Sequence, residues 1–153
     1  MMNLCCDVLS ALKGKTLVTA ESCTGGGIGA ALTAIPGSSE VYKGGIISYT
    51  NEMKEKLLGV SRELLTQCGA VSREVAVAMA EGVRKRLCAD VAISVTGLAG
   101  PGGDDFGNPV GTVYIGYADA NGSCVEKHLF SGNREAVRAQ AIQVALQIIL
   151  KNQ

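Results

Sequence analysis

Residues Thr16 to Ala30 read TLVTAESCTGGGIGA, and this stretch decides the fold. The β-type run Thr16, Leu17, Val18, Thr19 predicts a strand. Glu21-Ser22-Cys23-Thr24 and three consecutive glycines predict a tight turn, and Ile28, Ala30, Ala31 and Leu32 resume as a helix. A hydroxyl between a strand end and a helix start faces backbone N–H groups that have no partner inside the helix. A nucleophile placed there would find an oxyanion hole.

Working outward, Leu4, Val8, Leu9 and Leu12 predict an amphipathic helix over 3–13 that stops near Gly14. Gly14-Lys15-Thr16 has the tail of a phosphate-binding loop, but Leu9 stands where the first glycine belongs and a strand follows instead of a helix, which excludes that reading. After the break at Ile35-Pro36-Gly37-Ser38-Ser39, Val41 to Tyr49 predicts a strand whose glycine pair marks a bulge. Asn51 is the expected cap of a short helix carrying Met53, Lys54, Leu57 and Leu58, and Ser61 opens a second. Ser72 caps a long helix with Val75, Ala76, Met79, Ala80, Val83 and Leu87 on one face. Asp90 to Thr96 is a nearly continuous apolar strand, as a central position covered on both faces requires. Gly111 to Ala118 and Ser123 to Phe130 form a hairpin around Asn121-Gly122, and a final helix runs from about 133 to 150. Helix-separated strands followed by a hairpin predict one domain, residues 1–153: an α/β fold, a three-layer α/β/α sandwich whose sheet mixes parallel and antiparallel strands.

Composition narrows the partners. The 14 basic and 14 acidic residues cancel, and Arg84-Lys85-Arg86, the one dense basic cluster, lies at helical spacing among apolar residues. Nucleic acid is therefore not the expected partner, because phosphate binding needs a positive face. The long apolar segment near the C-terminus is broken by Gln140, Gln143 and Gln147, so no membrane span is expected. The six cysteines form no regular framework, which points to reduced thiols in the cytoplasm. No metal site is expected, since His128, the only histidine, stands in a strand far from any close cysteine pair. Apolar strand edges point, as an expectation, to a homo-oligomer.

Three polar turns each follow a strand: 21–27, 49–51 and 96–105. In an open α/β sheet such turns share a crevice at the strand carboxyl ends. Ser22 is a candidate nucleophile, and with no Ser-His-Asp order available its base would be a desolvated lysine; Lys54, one helical turn beyond Tyr49, is in place for it. Tyr49 would then pass or stabilise the proton. Cys23 is the rival nucleophile, lowered in pKa if a helix N-terminus faces it. Neighbours leaving a strand point opposite ways, so only one of the two faces the crevice. Thr96 and the glycines after it could surround a phosphate or an oxyanion, and Arg134 and Arg138 could meet a phosphate.

Glu21-Ser22-Cys23-Thr24-Gly25-Gly26, Pro36-Gly37-Ser38-Ser39, Tyr49-Thr50-Asn51 with Lys54, Val95-Thr96-Gly97 with Ala99-Gly100-Pro101-Gly102-Gly103, Pro109-Val110-Gly111-Thr112-Val113, and Gly132-Asn133-Arg134 with Val137-Arg138 stand in this order along the chain. Together they resemble the C-terminal domain family of the competence/damage-inducible protein CinA, over about residues 4–150. The resemblance implies a nicotinamide-nucleotide amidase, which hydrolyses the carboxamide of nicotinamide mononucleotide to nicotinate mononucleotide and ammonia in pyridine-nucleotide salvage. It implies Ser22 as nucleophile, Lys54 as its base partner, Tyr49 and Thr96 as active-site hydroxyls, and a substrate-binding set of Thr24, Gly25, Gly26, Gly97, Gly100 and Arg134 or Arg138. A small-molecule nucleotide is the implied partner, and no metal or organic cofactor is implied. The alternative is a nucleotide-binding module of the same fold without catalysis. This chain departs from the family pattern at Gly132-Asn133-Arg134, where Gly-Asp-Arg is frequent. The large N-terminal domain of many relatives has no counterpart here, so its activity is not expected.

Overall fold

The computed structural model describes residues 1–153. Five strands form one sheet in the order β2 (Tyr42–Ile47), β1 (Leu17–Glu21), β3 (Val91–Gly97), β4 (Thr112–Asp119), β5 (Gly122–Leu129). The first three are mutually parallel and the last two antiparallel, so the sheet is mixed. β1 lies between two parallel neighbours and is buried along its whole length, as a strand covered on both faces must be. β2, at one edge, alternates between half-buried and exposed positions. Its pairing with β1 shifts register where Lys43 is passed over, beside the glycine pair, so the bulge stands where the glycines mark it.

Helices cover both faces. α1 (Met2–Ala11), α2 (Gly27–Thr33) and α6 (Arg134–Lys151) enclose the larger core, in which Val8, Leu12, Ile28, Leu32, Leu146 and Ile149 meet Leu17, Ile93 and Ile115 of the sheet. α3 (Asn51–Leu58), α4 (Arg62–Cys68) and α5 (Arg73–Arg86) enclose a smaller one, where Leu58, Leu65, Val75, Met79 and Val83 meet Val18, Ala20 and Ala92. The result is a three-layer α/β/α sandwich built from aliphatic side chains. α5 sits close on the sheet because Gly116 has no side chain: a Cβ there would lie 2.5 Å from the Ala76 carbonyl oxygen. Ser94 Oγ donates to that same oxygen at 2.6 Å.

Three local expectations differ from the structure. α3 is capped by Thr50, whose hydroxyl accepts the Met53 N–H at 3.3 Å; Asn51 is already the first helical residue. Leu87 is 41% exposed, because α5 ends at Arg86 and the chain turns away before Leu87 can reach the core. β2 stops at Ile47, which leaves Ser48 and Tyr49 to the turn that enters the site.

Candidate active site

The carboxyl ends of the parallel strands β2, β1 and β3 lie side by side, and the turns after them meet in a cleft of about 270 Å³. Ser22, Tyr49, Lys54, Thr96, Gly97 and Arg134 line it, together with Cys23 and the Ala70-Val71 connection. Thr24, Gly25, Gly26, Gly100 and Arg138 do not line it.

At its centre Lys54 Nζ donates to Ser22 Oγ at 2.9 Å and to the Ser48 carbonyl at 2.8 Å. Capping by Thr50 begins α3 so that Lys54, on the first turn, points into the protein rather than to solvent, and it is 1% exposed. Burial penalises its charged form and pulls the ammonium down from the ordinary 10.5 to about 8. A neutral amine beside a serine hydroxyl is therefore available close to neutral pH, which is what proton abstraction from serine needs.

Cys23 takes the opposite direction. Its side chain packs in the larger core and is 5% exposed. Burial pushes the thiol up to about 11, so its thiolate is scarce at neutral pH. Of the two adjacent nucleophiles, Ser22 faces the lysine.

Glu21, which sequence reasoning passed over, organises the turn from beneath. It is 2% exposed, and its carboxylate accepts the Thr24 hydroxyl at 2.7 Å, the Ile28 N–H at 2.9 Å and the Gly29 N–H at 3.1 Å. The negative charge thus occupies the N-terminus of α2, where the dipole favours it. The Ile28 and Gly29 N–H groups are thereby taken, which leaves the N–H groups of Cys23, Thr24 and Gly26 in the turn as the ones open to an oxyanion. A glutamate directly before Ser-Cys-Thr, seven residues ahead of a helical N–H, was the available signal.

From the other side Arg138 holds the turn. Its Nε donates to the Cys23 carbonyl at 3.0 Å and its Nη2 to the Thr24 carbonyl at 3.1 Å. Gly25 lies directly over this guanidinium, where a Cβ would sit 3.6 Å from Nη2, and Gly26 caps α2 with φ of 95°. Arg134 reaches across the cleft mouth instead, with Nη1 on the Gly100 carbonyl and Nη2 on the Tyr49 hydroxyl, both at 2.8 Å. Tyr49 is 57% exposed, and its hydroxyl is engaged by Arg134 rather than by the Ser22–Lys54 pair. Thr96, buried, donates to the Ala70 carbonyl at 2.8 Å and keeps lone pairs free to accept. Asn133 caps α6 by accepting the Ala136 N–H at 2.9 Å, so the change from the frequent Asp keeps the cap. No group of three or more His, Cys, Asp or Glu gathers in a metal-holding arrangement, and no helix is long and apolar enough to cross a membrane.

Residues 2–153 match the family model described as the CinA C-terminal domain. The chain is 52% identical to a CinA-like protein of a Synechocystis species, over 80% of this chain and 29% of that one. It is 51% identical to a CinA-like protein of Prochlorococcus marinus, over 86% of this chain and 31% of that one. The chain thus spans about a third of the length of these curated relatives. Among solved structures, a CinA superfamily protein of Escherichia coli superposes with a TM-score of 0.97 at 36% identity, covering 99% of this chain and 90% of that one. The chain belongs to the CinA C-terminal domain family.

Proposed function

We propose that this member of the CinA C-terminal domain family is an amidohydrolase acting on a small nucleotide, a nicotinamide-nucleotide amidase that converts nicotinamide mononucleotide to nicotinate mononucleotide and ammonia. The observation that carries the proposal is the buried Lys54 amine 2.9 Å from Ser22 Oγ at the point where three strand ends converge. A module that only binds nucleotides has no use for a desolvated base beside a hydroxyl, since burying that amine costs stability.

In the proposed reaction neutral Lys54 takes the Ser22 proton as Oγ attacks the carboxamide carbon. The oxyanion falls to unbonded amides of the nucleophile turn, the Cys23 N–H first, since those of Ile28 and Gly29 are bonded to Glu21. The Lys54 ammonium returns its proton to the leaving nitrogen, ammonia departs, and an acyl-serine remains. Water then attacks this ester with Lys54 again as base, releasing the carboxylate. Thr96 supplies a hydroxyl beside the reacting amide, while the Tyr49 hydroxyl, bonded to Arg134, stands at the cleft mouth. Arg134 takes the phosphate, because it stands at the exposed mouth of the cleft, while both bonding nitrogens of Arg138 hold the nucleophile turn. The reaction needs neither metal nor organic cofactor, and the proposed setting is cytoplasmic nucleotide salvage.

The test is ammonia release from nicotinamide mononucleotide by the purified chain. Ser22→Ala is expected to lower kcat by about three orders of magnitude or more, while Cys23→Ala keeps most of it. A silent wild-type protein that still binds the nucleotide would establish the non-catalytic module instead. Loss confined to Cys23→Ala would transfer the nucleophile to the thiol.

A further inference from the structure

Ser48 is fully buried between the end of β2 and the start of α3. Two of its polar groups are engaged: the N–H donates to the Glu21 carbonyl at 2.9 Å, and the carbonyl accepts Lys54 Nζ at 2.8 Å. Its hydroxyl has no hydrogen-bond partner in the protein, and it is the one fully buried side-chain polar atom of which this is true. A hydroxyl left so costs stability, and removing it is close to neutral. In a core otherwise satisfied, such a group marks a position kept for some other purpose.

The neighbouring lysine supplies that purpose. Once Lys54 takes the Ser22 proton its ammonium has three N–H groups. Ser22 Oγ and the Ser48 carbonyl provide two acceptors within reach. The Ser48 hydroxyl is attached to the same residue as the second of these, and rotation between staggered wells of its side chain sweeps it around that carbonyl. No carboxylate competes for the place. The titratable groups sharing the cleft with Lys54 are Cys23 from the end of β1, Tyr49 beside Ser48, and Arg134 from α6, while the connection before α5 presents only Ala70 and Val71. On α3 itself Glu55 is paired with Arg62. Beneath the turn Glu21 is held by Thr24 and α2.

We propose that Ser48 is a positioning residue for the base, its hydroxyl turning to accept the third N–H of the Lys54 ammonium as the proton arrives from Ser22. This rests on the reading of Ser22 and Lys54 as nucleophile and base. It also explains why an unpartnered hydroxyl stands at the fixed carbonyl that already holds the amine.

Ser48→Ala tests it. Above about pH 8, where the Lys54 amine is neutral and the hydroxyl has no partner, the variant should melt at or above the wild-type temperature. A hydrogen bond to a charged group is worth about one pKa unit or more. The Lys54 resonance, followed by NMR on protein carrying 13C-labelled lysine, should therefore titrate about one unit lower in the variant. The rising limb of kcat against pH should move to lower pH by the same amount, and its plateau should fall several-fold, since a weaker base abstracts the proton less readily. Ser48→Thr, which keeps the hydroxyl, should restore both. A folded Ser48→Ala protein in which Lys54 titrates as in wild type would overturn the proposal, as would a limb moved to higher pH. The NMR titration needs no turnover, so absence of ammonia release from the wild-type chain would count against the amidase reading alone.

Discussion

Among single residues, Ser22 and Cys23 differ by one position and by everything that matters to reactivity. Alternation of side chains at a strand end sends one toward Lys54 and the other into the aliphatic core. The expectation that only one of the pair faces the crevice does not hold, because both line it; what separates them is that only Ser22 is bonded to Lys54. Lys54 carries the pH dependence. Its ammonium is pulled from 10.5 to about 8 by burial, so the neutral base accumulates as pH rises through 8. Amidase kcat is expected to climb through about pH 8 and level off above it, measured as ammonia release between pH 6 and pH 10. The same shift makes a stability prediction. The folded value lies below the unfolded one, so between about 8 and 10.5 the unfolded chain holds a proton that the native chain does not, and native stability rises with pH over that window. Below pH 8 the buried charge opposes folding by about 3 kcal/mol. Lys54→Met should abolish turnover, yet raise stability in urea by about 1–2 kcal/mol at pH 7 after the loss of two hydrogen bonds, with the gain shrinking toward pH 10.5. A variant less stable than wild type at pH 7 would refute this account of the lysine.

For whole elements, caps decide where site residues point. Ser61 and Ser72 cap α4 and α5, accepting the Leu64 and Val75 N–H groups, and the sequence pattern placed both. At α3 the pattern pointed to Asn51, since asparagine is the better cap by type. The structure puts Thr50 there, because its φ of −107° and ψ of 162° are extended as a cap requires, while Asn51 has already entered the helix. The one-residue difference sets the rotation of α3 and with it the inward direction of Lys54. Thr50→Ala is expected to cost about 1 kcal/mol in thermal unfolding, with Asn51→Ala within about 0.5 kcal/mol of wild type. Equal costs would mean that the cap is shared. α2 needs no such residue at its cap, Gly26, because Glu21 reaches its N–H groups from the preceding strand. Glu21 caps from seven and eight residues upstream, beyond the spacing at which a capping residue is ordinarily sought, which is why the glutamate escaped notice.

Across the whole molecule, the site exists because the three parallel strands end together and α6 returns from the far end of the chain to close the crevice. Arg134 and Arg138 span 34 and 115 residues respectively to reach Gly100 and Cys23. That geometry depends on close seating of α5 on the sheet. Gly116→Ala would place a methyl 2.5 Å from the Ala76 carbonyl and 2.6 Å from Ser94 Oγ, so α5 must shift. The expected cost is about 1–3 kcal/mol in urea unfolding, with a parallel loss of kcat although residue 116 is remote from the cleft. Unchanged stability would show that the layer has room to give. The element order, the mixed sheet and the segments that meet at the site were all legible in the sequence. Apolar periodicity and glycine punctuation are local consequences of burial, and turns after parallel strands must share one edge. What only the tertiary structure decided is which atoms face that edge. Ser22 rather than Cys23, Lys54 stripped of water, Arg138 turned to the backbone and the Ser48 hydroxyl left unpartnered all follow from how the layers rotate against one another. That rotation is set by side chains far apart in sequence, so no local pattern carries it.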